Sequence, residues 1–136
     1  MVEQREITLP LLGRGFHLIT PSIESALPSF TEKGVVNIFI HHTSAALAIN
    51  ENADPTVRMD FESFFNRLVP ENDPLYKHKF EGPDDMPAHL KSSIFGQSIS
   101  IPVKNGRLHM GTWQGIYLCE FRNSPHKRKL TITVIS

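Results

Sequence analysis

His41–Asp54, HHTSAALAINENAD, follows directly on the apolar run Val35–Ile40, VVNIFI. The run is broken only by Asn37 and is rich in β-branched residues, which marks it as a strand with a buried face. Ala45–Ile49 is apolar again and reads as a second strand, with a bend at His42–Ser44 between the two. Asp54 and Pro55 then open a helix, an N-cap followed by a proline at the first helical position. Strand, bend, strand and helix in immediate succession point to a mixed α and β architecture. The fourteen residues also carry two imidazoles, two hydroxyls, two amides and two carboxylates. Stability alone does not ask for these beside a buried strand, because each buried polar group needs a partner.

Downstream, Val57, Phe61, Phe64, Phe65 and Leu68 recur at helical spacing and predict one apolar face, with Arg58 and Glu62 paired on the outside. Pro70 ends this helix. Glu71–Asp84 is polar and rich in Pro and Gly, a long loop of the kind that carries function or an oligomer contact. Asp84 or Asp85 is expected to cap a second helix running to Phe95 and closed by Gly96. Upstream, Gln4–Leu9 and Gly15–Thr20 read as strands around a connection at Gly13. Thr20 and Pro21 start a short helix through Leu27, Pro28 stops it, and Gly34 turns the chain into Val35–Ile40. In the last third, Ser98–Val103 alternates, Asn105-Gly106 is a strong hairpin signal, and Arg107–Met110 returns. Gly115–Phe121 and Lys129–Ile135 follow as strands. The sequence therefore predicts one α+β domain over residues 1–136, a mainly antiparallel sheet or sandwich with two to three helices.

Composition narrows the function classes. Fourteen basic and fourteen acidic residues cancel, so no global charge draws the chain to nucleic acid or an anionic membrane. Cys119 is the sole cysteine, which rules out an internal disulfide and favours a reducing compartment. The opening MVEQREITLP lacks the apolar core of a signal peptide, and no run is long enough to span a membrane. Walker, dinucleotide-binding and GxSxG patterns are absent, and Cys119 lies in an apolar strand rather than in a reactive setting.

Three constellations remain. His42, Glu51, His78 and His89 are of the type that holds a divalent ion when brought together from different elements, although His78-x10-His89 matches no standard zinc spacing. Each is equally readable as a structural hydrogen-bonding group. Asp84-Asp85 precedes a helix, where capping accounts for one carboxylate and leaves the other to orient His89 or hold Mg²⁺ through water. Gly111-Thr112-Trp113-Gln114-Gly115 brackets the only Trp between two glycines, either a tight turn with an aromatic plug or a stacking surface for a flat ligand. Glu120 and Arg122 share a strand face, and a Glu–Arg pair there is readable as structural.

His42-Thr43-Ser44-Ala45, Asn50-Glu51-Asn52 with Asp54-Pro55, Asp84-Asp85-Met86-Pro87 with His89, and Gly111–Gly115 together resemble the YjbQ-like family, also called the secondary thiamine-phosphate synthase family. The resemblance implies an α+β fold, a homotrimer and a cytoplasmic setting. It further implies a weak ability to couple a pyrimidine diphosphate to a thiazole phosphate with release of pyrophosphate. On this resemblance the catalytic set is His42, Glu51, Asp85 and His89. The substrate set is Thr43, Ser44, Asn52, Trp113, Gln114 and Glu120. The metal set is His42, His78 and His89, holding Mg²⁺ or Zn²⁺. Some branches of the family carry a further histidine where this chain has Pro87. The competing expectation is a non-catalytic, metal- or ligand-binding trimeric scaffold, or another phosphate-ester or diphosphate enzyme using the same His/Glu site. Neither nucleic acid nor membrane is an expected partner.

Overall fold

Eleven elements follow one another in the computed structural model, which describes residues 1–28 and 32–136. They are β1 (Val2–Thr8), β2 (Gly15–Leu18), α1 (Thr20–Ala26), β3 (Lys33–Ile40), β4 (Ala45–Glu51), α2 (Pro55–Leu68), α3 (Asp85–Phe95), β5 (Ser98–Lys104), β6 (Arg107–Leu108), β7 (Gln114–Glu120) and β8 (Lys129–Ile135). The strands form two antiparallel sheets, one in the order β1-β8-β3-β5-β6 and one in the order β2-β7-β4. The predicted α+β class is what the chain adopts, with three helices where two to three were expected.

Alternation decides which face each strand buries. On β3, Val36, Ile38 and Ile40 are buried while Val35 and Phe39 on the other face remain about two-fifths exposed. Leu130, Ile132 and Val134 of β8 and Ile101 and Val103 of β5 join the buried face, and Leu47, Ile116 and Leu118 of the smaller sheet close on it. A second core lies on the opposite side of the smaller sheet. There Phe16, Ala46, Tyr117, Cys119 and Phe121 meet Ala88 of α3, with Phe61 and Phe65 of α2 and Phe95 of α3 packed against them. β7 is therefore buried on both faces, which explains why IYLC is a continuous apolar run rather than an alternating one. Among the described residues no helix is long and apolar enough to cross a membrane.

Several local expectations change. Asp54 caps α2 as predicted, its Oδ1 accepting from the Thr56 amide at 2.9 Å. The buried stripe of α2 is narrower than predicted. Phe61 and Phe65, four apart, face the core, whereas Phe64 and Leu68 are more than half exposed. The Arg58–Glu62 pair does not form, because Glu62 Oε1 accepts from Arg14 Nε at 2.9 Å and from Asn66 Nδ2 at 3.0 Å. Ile19 rather than Thr20 is the cap of α1, and the Thr20 hydroxyl instead accepts the Ile116 amide across the chain. Neither aspartate caps α3 through its side chain. Gly34 is not a turn but a β3 residue, where a Cβ would come within 2.5 Å of the Ile135 carbonyl oxygen. The hairpin forms as read, with Asn105 at φ 53° and Gly106 at φ 72°, the pair of positive values a two-residue turn requires.

Candidate functional site

The α3 N-terminus is organised around two buried carboxylates. Arg122, just beyond β7, donates from Nε to Asp84 Oδ2 at 2.8 Å and from Nη1 to Asp85 Oδ1 at 2.7 Å. The Asn123 amide also donates to Asp84 Oδ2. Burial pushes the Asp84 carboxyl upward, but the Asn123 amide and the Arg122 guanidinium outweigh it and hold it below the usual range. The Asp84 hydrogen bond in turn raises Arg122, which keeps its charge throughout.

Asp85 Oδ2 faces two imidazoles. His78 Nε2 lies 2.8 Å from it and His89 Nε2 3.1 Å from it. Burial raises the Asp85 carboxyl, while the His78 hydrogen bond, the His89 charge and Arg122 together lower it, and the net direction is downward. Aspartate and histidine four apart on α3 share one helix face, and His78 arrives from the Glu71–Asp84 loop. His89 Nδ1 lies 2.9 Å from the Thr43 carbonyl, which can only accept, so Nδ1 carries the proton. In a neutral ring Nε2 is then a lone pair aimed at a carboxylate, an arrangement that needs a proton or a cation between them.

The donor set fits a divalent ion. The three donor atoms of His78, Asp85 and His89 lie within 4.8 Å of one another. Two imidazole nitrogens and one carboxylate form an open ligand set, with further positions left to water or substrate. Bonds of roughly 2.0–2.1 Å in tetrahedral geometry separate donors by about 3.3 Å, close to the 2.8 and 3.1 Å at which the two imidazoles stand from Asp85 Oδ2. The Thr43 carbonyl behind His89 fixes the tautomer in the way ligating histidines require. Beside His78 opens a cleft of about 410 Å³, walled by Tyr76, Lys79, Gly82, Pro83 and Met86.

His42 is not brought into this cluster. Its Nε2 accepts the Lys129 amide at 2.9 Å, so the lone pair offered to a metal is already engaged. Burial and the neighbouring Arg128 lower its pKa and keep the ring neutral. Ser44 and Glu120 belong to a buried pair rather than to an open surface. Arg128 donates from Nε and Nη2 to the two Glu120 oxygens at 2.7 and 2.6 Å, and from Nη2 to Ser44 Oγ at 3.0 Å. The Glu120–Arg122 side-chain pair that the shared face allowed does not form. Glu120 takes Arg128, only the Arg122 amide reaches Glu120, and the Arg122 side chain goes to the aspartates.

Glu51, Asn52, Trp113 and Gln114 gather at the other end of the smaller sheet. The register sets Ala45 opposite Glu120 and Glu51 opposite Gln114. Six residue steps at about 3.3 Å each put roughly 20 Å between the two ends. Asn52 Nδ2 donates to the carbonyls of Thr112 and Gln114, and Gln114 Oε1 accepts the Gly111 amide. Glu51 Oε2 accepts the Asp54 amide, and the Tyr117 hydroxyl donates to the Glu51 carbonyl. The amides hold the turn, and Trp113 stands 64% exposed upon it. Arg122, expected only beside Glu120, and Arg128, not expected in the site, had one available signal. Buried acids demand cations, and both lie within eight residues of Glu120.

The fold and the cluster define a class, small α+β proteins of two antiparallel sheets with a His–Asp–His group at the start of a helix. The chain belongs to the family described as UPF0047 protein YjbQ-like, whose model matches residues 5–136. It is 50% identical over 133 residues to the UPF0047 protein YjbQ of Salmonella typhimurium, covering 96% of both chains. It is 42% identical to a UPF0047 protein of Synechocystis, covering 96% of this chain and 90% of that one. Among solved structures, a conserved hypothetical protein of Thermus thermophilus superposes with a TM-score of 0.84 at 35% identity, covering 94% and 97% of the two chains. A hypothetical protein of Aeropyrum pernix gives 0.85 at 30% identity, covering 98% of each.

Proposed function

We propose that the chain is a cytoplasmic transferase of the thiamine-phosphate synthase type, joining a pyrimidine diphosphate to a thiazole phosphate and releasing pyrophosphate. The observation that carries this reading is the convergence of the His78, Asp85 and His89 donor atoms beside a substrate-sized cleft. His78, Asp85 and His89 would hold a divalent ion, Mg²⁺ or Zn²⁺, which would supply charge neutralisation for a departing pyrophosphate. Asp85 and the two histidines hold the anion-binding end, and Lys79 adds a cation on the cleft wall. Thr43 locks His89 through its carbonyl. His42, kept neutral, fixes the Thr43–Ser44 bend by its bond to the Lys129 amide. Trp113 offers a ring face for a heteroaromatic base, and Glu51 acts from the same end.

Within one protomer those two ends are too far apart to touch one small substrate. Assembly as a homotrimer is therefore part of the proposal, with the Trp113 end of one protomer completing the histidine end of another. Sedimentation of a stable monomer at micromolar concentration ends that part of it. On folded protein, His89→Ala should lower pyrophosphate release at least about tenfold, as expected for loss of an electrostatic contact to the leaving group. Trp113→Ala should mainly raise KM. Full activity in both His89→Ala and Glu51→Gln would show these residues to be structural.

One observation favours the scaffold alternative. Both Asp85 oxygens are already engaged by Arg122, His78 and His89, as in a closed structural ion network. That reading prevails if wild-type pyrophosphate release equals background while the histidine cluster still contributes stability.

A further inference from the structure

Arg58 is left over by the packing. It lies in the first turns of α2, where the macrodipole disfavours a cation. The acid four residues on, Glu62, is taken by Arg14 and Asn66. Asp54 at the helix cap is fully exposed, and its Oδ1 accepts from the Thr56 amide and hydroxyl. Among the described residues Arg58 forms no ion pair, and its Nη1 is the one buried side-chain nitrogen or oxygen without a hydrogen-bond partner. A buried, unsatisfied cationic N–H is costly, and among the described residues no acid is hydrogen-bonded to this guanidinium to offset it.

The guanidinium also lines a cleft of about 330 Å³, formed where the segment before β2, β2 itself and the start of α1 meet α2. Leu12, Phe16 and Ile19 give it apolar walls, and Ser22 and His17 add polar edges. No carboxylate lines it. Its residues are not shared with the cleft beside His78. A guanidinium without an ion pair, in a cleft of mixed polar and apolar lining and small-ligand size that no carboxylate lines among the described residues, is the complement of a small anion. We propose that this cleft binds a small organic anion, a carboxylate or a phosphate with a short apolar portion against Leu12, Phe16 and Ile19, with Arg58 as the anchor of the anionic head. With Nη1 closed off from solvent, the head group is to be met by Nε and Nη2, the paired donors on the other edge of the guanidinium.

The test is calorimetric titration of the full chain with two probes, inorganic phosphate and hexanoate. Saturable binding of either supports the site if Arg58→Met weakens it at least about tenfold, the loss expected for a charge-assisted contact. Stronger phosphate binding assigns a phosphate head, and stronger hexanoate binding a carboxylate head. Binding of either probe that survives Arg58→Met unweakened lies elsewhere, at the histidine cluster or on the open surface, and counts against this cleft. Without probe, Arg58→Met should melt no lower than the wild type, because it removes an unsatisfied group. Should Arg58→Met fail to fold, the Arg58 Nε–H resonance of the wild type is followed instead, and it must shift on titration. The proposal is overturned if neither probe saturates, if Arg58→Met binds as tightly as the wild type, or if the Arg58 resonance stays fixed.

Discussion

Asp85→Asn is the most direct probe of the candidate centre, because it keeps the shape and removes one charge. The carboxylate is almost fully buried and engages Arg122 at 2.7 Å, His78 at 2.8 Å and His89 at 3.1 Å. Losing a buried partner outright costs about 3–5 kcal/mol when the other charge is left alone. Here Arg122 keeps Asp84, His78 is half exposed, and the new amide can still accept from Arg122. The loss is therefore placed at about 2 kcal/mol, near the value of one charge-assisted hydrogen bond. For a chain of this length that lowers Tm by roughly 6–10 °C. The pH dependence follows from the direction of the Asp85 shift. A carboxyl lowered in the folded state contributes stability above its unfolded pKa of about 3.9 and loses it as pH falls through the lower folded value. Melting followed by circular dichroism should show the full gap between wild type and variant at neutral pH. The gap should narrow once the pH is taken below about 3.9. Equal melting temperatures at neutral pH, or a gap that stays the same under acid, would refute the charge network as described.

Three further outcomes can be checked independently. Asn52→Ala removes two side-chain bonds to the 111–114 turn and should destabilise by about 1–2 kcal/mol, with a change in Trp113 fluorescence as the turn loosens. Lys91→Met should be neutral or stabilising by up to about 2 kcal/mol, since the ammonium is 1% exposed with Asn66 Oδ1 as its hydrogen-bond acceptor and the Phe121 ring beneath it. Burial, then Arg14, lowers the Lys91 pKa, so the variant's advantage should be greatest below the folded pKa and shrink as pH rises toward the unfolded value of about 10.4. Cys119, fully buried and with its thiol pushed up by burial, should resist alkylation in the native protein and react promptly once denaturant unfolds it.

The elements that could be read from sequence are those whose cause is local. Asp54-Pro55 opens α2 and Asn105-Gly106 turns a hairpin because capping and positive φ are properties of adjacent residues. The i, i+4 relation of Asp85 and His89 is equally local, and it survived into the cluster. What could not be read depends on register between distant strands. β1 pairs with β8 across the whole length of the chain, and nothing in either strand names the other. The same limit decided His42. Its residue type suits a metal, but its lone pair is taken by the amide of Lys129, 87 residues away. Glu62 shows the opposite error, a helical pair with Arg58 that a distant arginine pre-empts.

These long-range substitutions share one physical origin. Arg14 is only about one-fifth exposed and gathers Glu62, Asn66, Glu71 and Asn123 around one guanidinium. Asn66 also receives buried Lys91 of α3, and the Asn123 amide binds Asp84. A continuous polar chain therefore runs from α2 through the start of β2 and the segment after β7 to the carboxylates beneath His78 and His89. Its acids and amides are satisfied in that chain, while Arg58 on the same helix is excluded from it. The same packing that fixes the aspartates under the histidines thus leaves Arg58 outside the network. A charge left unpaired by an otherwise saturated network is where a ligand has most to contribute.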